Sequence, residues 1–276
     1  MHVLALQLDI AWESKPENFA KVRRLLSPGV PKGSLIVLPE MFATGFSMNV
    51  AATAEPPGGE TETFLSHLAK QHGAFVLAGV VSRGESKRGC NEAVVFSPGG
   101  DEIARYCKLH PFTPGGEMKN YWPGEQITLF DFAGLKVCPF VCYDLRFPEI
   151  FRHATRMGAQ MFCVIASWPC ARADHWVTLL QARAIENQAY VVGVNRCGKD
   201  PNFPYPGRTM IIGPHGAPIA DAGDKEGVIS APVNAEAVTQ YRAELPFLQD
   251  IRPDFVPGNP NDETRNPNQA RMTKSE

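Results

Sequence analysis

An α/β fold is predicted for this 276-residue chain by two observations. Apolar segments of strand length recur throughout it, several bounded by Gly or Pro, and segments with a helical apolar period separate them. Strands that alternate with helices imply layers of helix packed on sheet, with ligand sites beyond the C-terminal ends of parallel strands.

Taken in order, Val3–Leu8 opens the series as a strand, and Pro16–Leu26 follows as a helix with Phe19, Val22 and Leu26 on one stripe. Leu35–Leu38, Phe75–Val81 and Ala93–Phe96 read as strands, with the helix Thr61–Gln71 between the first two. Leu135–Val141 and Met161–Ala166 are strands separated by the helix Glu149–Met157. Asp174–Gln188 is a helix because Leu179, Ala182 and Ile185 recur on one side among charged neighbours. Val191–Val194, Thr209–Ile212 and Gly227–Ala231 are the late strands, and Ala235–Leu245 is the last helix. Periodicity alone leaves two architectures open: one doubly wound sheet, or two sheets packed face to face with helices outside.

A hydrophobic content of 44% supplies a sizeable core, and no Gly/Ser-rich seam divides the chain. One domain over residues 1–252 is therefore expected, followed by a polar extension over 253–276 with too few apolar residues for a core of its own, which is expected either to be mobile or to pack on a partner subunit. The 27 basic and 29 acidic side chains nearly cancel to a formal charge of −2, and no basic, aromatic stripe points to nucleic acid. No apolar run is long enough to span a bilayer, and the first residues lack the features of a secretory signal, so a cytoplasmic location is expected. Seven scattered cysteines, an odd number, fit a reducing compartment better than a disulfide framework.

Three strand ends carry reactive side chains. In Leu135-Lys136-Val137-Cys138-Pro139-Phe140-Val141-Cys142-Tyr143-Asp144, a buried strand runs into a turn that exposes Cys142 sharply. Backbone N–H groups there, that of Tyr143 above all, can face the same space as an oxyanion site. A structural buried thiol is the plainer reading of Cys142 taken alone. Glu40 closes Leu35-Ile36-Val37-Leu38-Pro39, where partial burial would raise its pKa toward that of a general base; a cap or buried ion pair is the alternative. Lys108 lies between the apolar Ile103–Cys107 segment and a proline turn, where its ammonium can favour a thiolate and stabilise a developing oxyanion. Glu117, in the glycine-framed Pro114–Gly124 loop, reads either as an orienting carboxylate or as an ordinary loop acid. Tyr121, Trp122 and Trp168 are candidates for an aromatic cleft wall, and Arg172 and His175 for receiving a substrate carboxylate; Arg172 reads equally well as a surface or subunit-contact charge.

All of these residues except Trp168 and Arg172 lie in the segments LIVLPEMFATGF, CKLHPFTPGGEMKNYWPG, KVCPFVCYDLRFPE and HWVTLLQARAIENQAYVVGVNRCG. Together the segments resemble the nitrilase superfamily of carbon–nitrogen hydrolases, and more narrowly its omega-amidase-like branch, over roughly residues 1–250. The resemblance implies a four-layer αββα sandwich with Glu40 as general base, Lys108 as stabilising cation, Cys142 as nucleophile and Glu117 as accessory glutamate. It also implies no cofactor, a small omega-amide substrate such as 2-oxoglutaramate, and a homodimer built near the Glu149–Met157 helix, with Phe147, Ile150 and Phe151 as contact residues. The sequence offers no competing zinc pattern: Cys138 and Cys142 are four apart with no His-Glu-x-x-His segment. Within the same chemistry, a nitrile or an N-carbamoyl amino acid is the alternative substrate. A thiol-dependent ester hydrolase would need an orienting histidine, for which His110 is the nearest candidate. A non-enzymatic α/β binding protein is the alternative outside catalysis, and a dinucleotide site is disfavoured because no Gly-x-Gly-x-x-Gly follows the first strand.

Overall fold

Two mixed sheets form from the recurrent apolar segments, each with three parallel strands at its centre. The computed structural model describes residues 1–84 and 87–252; the polar extension over 253–276 lies outside them. The first half runs β1 (His2–Gln7), α1 (Lys15–Leu26), β2 (Leu35–Val37), α2 (Val50–Thr53), α3 (Glu60–His72), β3 (Phe75–Arg83), β4 (Gly89–Phe96), β5 (Glu102–Cys107), α4 (Glu117–Asn120) and β6 (Tyr121–Trp122). The second half runs β7 (Phe130–Phe132), β8 (Leu135–Val141), α5 (Pro148–Arg156), β9 (Met161–Ala166), α6 (Ala173–Asn187) and β10 (Tyr190–Asn195). It continues through β11 (Cys197–Lys199), β12 (Pro204–Pro206), β13 (Met210–Ile212), β14 (Pro218–Asp221), β15 (Gly227–Pro232) and α7 (Ala235–Glu244).

The first sheet has the order β15-β1-β2-β3-β4-β5, with β6 added beside β4; the second has β14-β13-β10-β9-β8-β7. Strands with both faces covered read as continuous apolar runs rather than alternating ones. In β1 the alternation is between two cores. Val3 and Ala5 face the second sheet together with Val37, Leu77, Phe140 and Val164, whereas Leu4, Leu6 and Leu8 face the outer layer of α1 and α3. There Phe19 of α1 stacks on Phe64 of α3 at 4.2 Å between ring centroids. On the far side, Phe151 of α5 and Trp176 and Leu180 of α6 close over the second sheet. The result is the helix–sheet–sheet–helix sandwich, not the single doubly wound sheet.

The five expected helices are present within a residue or two of their expected ends. The buried face of α6 differs: Trp176, Leu180, Arg183, Ala184 and Asn187 turn inward, while Ile185 of the expected stripe is 49% exposed. The stripe at three-residue spacing is displaced from the face that the crossover onto β10 selects. Phe151, expected at a subunit contact, is fully buried against Phe140 and Phe162 inside the protomer.

Pro139 lies in the middle of β8, where a proline removes a ladder hydrogen bond. Strand β7 pairs only with Leu135–Val137, so β8 has already become an edge on that side by Pro139 and loses no bond there. The strand then continues, paired to β9, as far as Val141.

Candidate active site

The C-terminal ends of β2, β5 and β8 converge on one buried group of charges. Lys108 Nζ lies 3.0 Å from Glu40 Oε1 and 2.8 Å from Glu117 Oε2, and all three side chains are excluded from solvent. Asn91, on β4, donates from one amide nitrogen to Glu40 Oε1 at 2.7 Å and to Glu117 Oε1 at 2.8 Å. The backbone N–H of Ser167, just past β9, donates to Glu40 Oε2 at 2.8 Å. Glu117 is held in its turn by the Phe112 N–H, within the glycine-framed loop. Buried charges are tolerated when they are paired and their remaining lone pairs are satisfied, as they are here.

Cys142 begins the turn Cys142–Arg146 with a φ of 48°, and Met41, directly after Glu40, has a φ of 46°. Non-glycine residues enter this left-handed region at a cost, and such conformations gather where a side chain must be aimed. Asp144 holds the turn beneath Cys142. Its carboxylate accepts from the Val141 N–H at 3.1 Å, the Tyr106 hydroxyl at 2.8 Å and the His110 N–H at 3.0 Å. The His110 ring also meets Asp144, 2.9 Å from Oδ1, and stacks on Phe147 at 3.8 Å. It is thus committed to supporting the turn, and the ester-hydrolase arrangement with His110 orienting the thiol is not the one formed.

Burial pushes the Cys142 thiol well above the ordinary cysteine range, and Glu40 and Glu117 push it the same way; Lys108 and the Ser167 N–H work against them. For Lys108, burial alone disfavours the charge, but Glu117 and Glu40 outweigh it and hold the pKa well above the usual lysine value. The resting group therefore carries a neutral thiol beside a permanent cation. A paired carboxylate stands ready to take the thiol proton once a substrate brings an electrophilic carbon.

The cavity above Cys142 is walled by Phe46, Phe112, Tyr143, Trp168, Phe203 and Tyr205, with Ser167, Pro169, Arg146 and Arg172 completing it. Of the residues expected to meet substrate, Trp168 and Arg172 line this cavity. Tyr121, Trp122 and His175 do not. Tyr121 is buried with its hydroxyl on the Ser47 carbonyl. Trp122 turns outward, 40% exposed, beneath the Arg88 guanidinium at 3.7 Å. His175 approaches Arg146 at 3.4 Å and reaches the cavity only through it.

Sequence reading missed Asn91, Asp144, Arg146 and the unpartnered, buried Ser167 hydroxyl. Asn91 had at most a faint signal, an amide two residues before the apolar Ala93–Phe96 run. Arg146 stands four residues after Cys142 in the same turn. Its guanidinium lies 4.7 Å from the Trp168 ring centroid, and that of Arg172 lies 5.6 Å from the centroid of Phe112. Among the described residues neither has a carboxylate partner. Burial and then the like charge of Arg172 lower the pKa of Arg146.

The family model described as carbon-nitrogen hydrolase matches residues 3–243. A 2-oxoglutaramate amidase of Bacillus subtilis is 33% identical over 254 residues, which cover 92% of this chain and 98% of that protein. The omega-amidase YafV of Escherichia coli K12 is 35% identical, covering 91% and 96%. Among solved structures, the CN-hydrolase superfamily protein XC1258 of Xanthomonas campestris superposes with a TM-score of 0.86 at 32% identity, covering 91% of this chain and 97% of that one. Nit3 of Saccharomyces cerevisiae, a member of the nitrilase superfamily, gives 0.80 at 25% identity, covering 89% and 94%. With likeness of this extent in sequence and in fold, the chain belongs to the carbon-nitrogen hydrolase family, the nitrilase superfamily, in its omega-amidase-like branch.

Proposed function

We propose that this hydrolase cleaves the ω-amide of a small 2-oxo dicarboxylate, of which 2-oxoglutaramate is the reference case, to the dicarboxylate and ammonia. The observation that carries this reading is the pair Arg146 and Arg172, two guanidinium groups at the Cys142 cavity with no carboxylate partner among the described residues. Planar guanidinium forks match a carboxylate with two parallel hydrogen bonds, and the aromatic rings beneath them limit their freedom before binding. An uncharged aliphatic amide leaves both cations unanswered. The curated relatives named as 2-oxoglutaramate amidase and omega-amidase support the same substrate class.

In this reading Glu40 takes the Cys142 proton as the sulfur attacks the amide carbon. Lys108 and the Tyr143 backbone N–H stabilise the tetrahedral oxygen, and Glu117 and Asn91 keep Lys108 and Glu40 aligned. Glu40 returns the proton to the departing nitrogen, so ammonia leaves and a Cys142 thioester remains. Water, deprotonated by Glu40, then releases the acid and restores the thiol. No metal or organic cofactor enters this scheme.

The test compares kcat/KM for 2-oxoglutaramate, glutamine, a long aliphatic amide and a matched short nitrile, with rapid-quench mass analysis of the Cys142 peptide. Preference for the oxo-acid amide, with a transient acyl mass on Cys142, is expected. Preference for the nitrile, for an N-carbamoyl amino acid added to the panel, or for the long amide overturns the substrate assignment; absence of any acyl adduct under single turnover overturns the covalent route.

A further inference from the structure

We propose that Cys90 and Cys107 are a reversible redox pair, and that their disulfide disarms the Cys142 site. Cys90 lies on β4 and Cys107 ends β5, two antiparallel neighbours in register at Glu92 and Cys107. The two sulfurs and a Glu92 carboxylate oxygen all lie within 4.8 Å of one another. Side chains alternate across a strand, so the residues next to this pair point the other way. Those neighbours are Asn91 and Lys108, which hold Glu40 and Glu117 on the opposite face of the same sheet. The backbone joins the two at this level, where the Lys108 N–H donates to the Asn91 carbonyl at 2.9 Å.

Both sulfurs are half-buried, and each borders a surface depression, Cys90 beside Trp122 and Pro123, and Cys107 beside Arg105 and Pro123. Their charged and buried surroundings order the two thiols. The adjacent Cys107 thiol, with smaller help from Ser82 and Arg105, lowers the Cys90 thiol below its ordinary range against burial and Glu92. The neighbouring Cys90 thiol, and then burial, raise Cys107. Cys90 is thus the attacking thiolate and Cys107 the thiol that resolves it. A metal fits the group less well. Glu92 Oε2 already accepts from Arg105 and from Ser82, each at 2.6 Å, so the group offers two sulfurs and at most the second Glu92 oxygen, where a closed zinc site needs about four ligands.

With a small disulfide such as oxidised glutathione, the Cys90 thiolate attacks one sulfur and releases one glutathione thiolate. Cys107 then displaces the second glutathione from Cys90, and its proton goes to a departing thiolate. Two protein thiols are oxidised and one glutathione disulfide is reduced to two glutathiones. The bond formed is about 2.05 Å long, and Cys90 sits diagonally from Cys107, two residues from its direct partner Glu92, so β4 and β5 must draw together to close it. Ångström-scale displacement of groups that orient a reaction can cost up to about a hundredfold in rate.

The inference rests on the reading of Lys108 and Asn91 as parts of the machinery, so its test separates the bond from the activity. The full chain and its Cys90→Ser variant are incubated with oxidised glutathione, digested without reduction and analysed by mass spectrometry. In parallel, the rate of Cys142 alkylation by iodoacetamide and the turnover of 2-oxoglutaramate are followed before and after dithiothreitol. A Cys90–Cys107 peptide two hydrogens lighter is expected in the unmodified chain, with alkylation and turnover slowed roughly tenfold or more and restored by reduction. Cys90→Ser should match the reduced enzyme and keep its activity in the oxidant. The proposal is overturned if no cross-linked peptide forms, if it forms with the Cys142 alkylation rate unchanged, or if Cys90→Ser is inactivated equally. Zinc uptake that depends on Cys90 and blocks the cross-link overturns it in favour of a metal site. Slowed alkylation in a chain that turns over no oxo-acid amide would sustain the switch while refuting the substrate.

Discussion

Asn91 is the smallest part of the site and a sensitive one, because a single amide nitrogen serves two carboxylates that would otherwise repel across Lys108. Removing it in Asn91→Ala leaves two buried acceptors short of a donor, a loss of about 1–3 kcal/mol each way the site is measured. Turnover should fall with little change in KM, and unaltered kcat would remove Asn91 from the site's alignment. Lys108→Met keeps the side-chain length but removes the cation. A preorganised charge aimed at an oxyanion is worth about 100- to 1000-fold in kcat, checked at saturating substrate. Glu40→Gln should fail in both acylation and thioester hydrolysis, and Cys142→Ala should lose turnover altogether. At the carboxylate end, Arg146→Ala and Arg172→Ala should each raise KM for 2-oxoglutaramate while sparing an uncharged short amide. Equal losses for both substrates would show that the arginines shape the cavity rather than read charge.

Among the elements, the strand ends do the positioning, and close backbone approach is what lets two of them meet. A Cβ on Gly79 of β3 would come within 2.5 Å of Glu40 Cα and Met41 N, and 2.7 Å of the Pro39 carbonyl. These are backbone atoms that cannot swing aside, so Gly79→Ala must displace the segment bearing Glu40. Overpacking of this kind costs about 1–3 kcal/mol, so both the Tm and kcat should drop, and wild-type values of both would refute the argument. The turn under Cys142 depends in the same way on Asp144, whose hydrogen bonds join β5, the His110 segment and the end of β8.

For the whole molecule, the same buried charges tie stability to pH. The Cys142 pKa is raised on folding by burial and by Glu40, so the folded state holds this proton more tightly than the unfolded chain does. The contribution is complete below the ordinary thiol value of 9.0 and is lost as pH rises above it toward the folded value. Thermal unfolding followed from pH 7 to about pH 10 should show a fall in Tm at the alkaline end, and Cys142→Ala should flatten that fall. An identical slope in the variant would assign the loss to other groups. A homodimer is proposed on the resemblance and on three incompletely buried apolar side chains, Ile185 of α6, 49% exposed, and the half-buried Phe147 and Ile150. Sedimentation should find two copies, and Ile185→Glu should weaken the association; an active monomer at working concentration would refute it.

Local pattern was enough to place five helices, most strands and the reactive strand ends, because period and punctuation are properties of neighbouring residues. Glu40, Lys108 and Cys142 were legible for the same reason: each is a chemically reactive residue just beyond a run that has to be buried. The partners that make them work were not legible. Ser167 reaches Glu40 from 127 positions away and Asn91 from 51, and such separations are closed only when β2, β4 and β9 pack across two sheets. Tyr121 and Trp122, both expected in the cleft wall, follow one another in β6 and point to opposite faces, so no single wall could hold both. Arg146 was passed over in favour of Arg172, since only the path of the turn after Cys142 carries its side chain back over Trp168 and into the cavity.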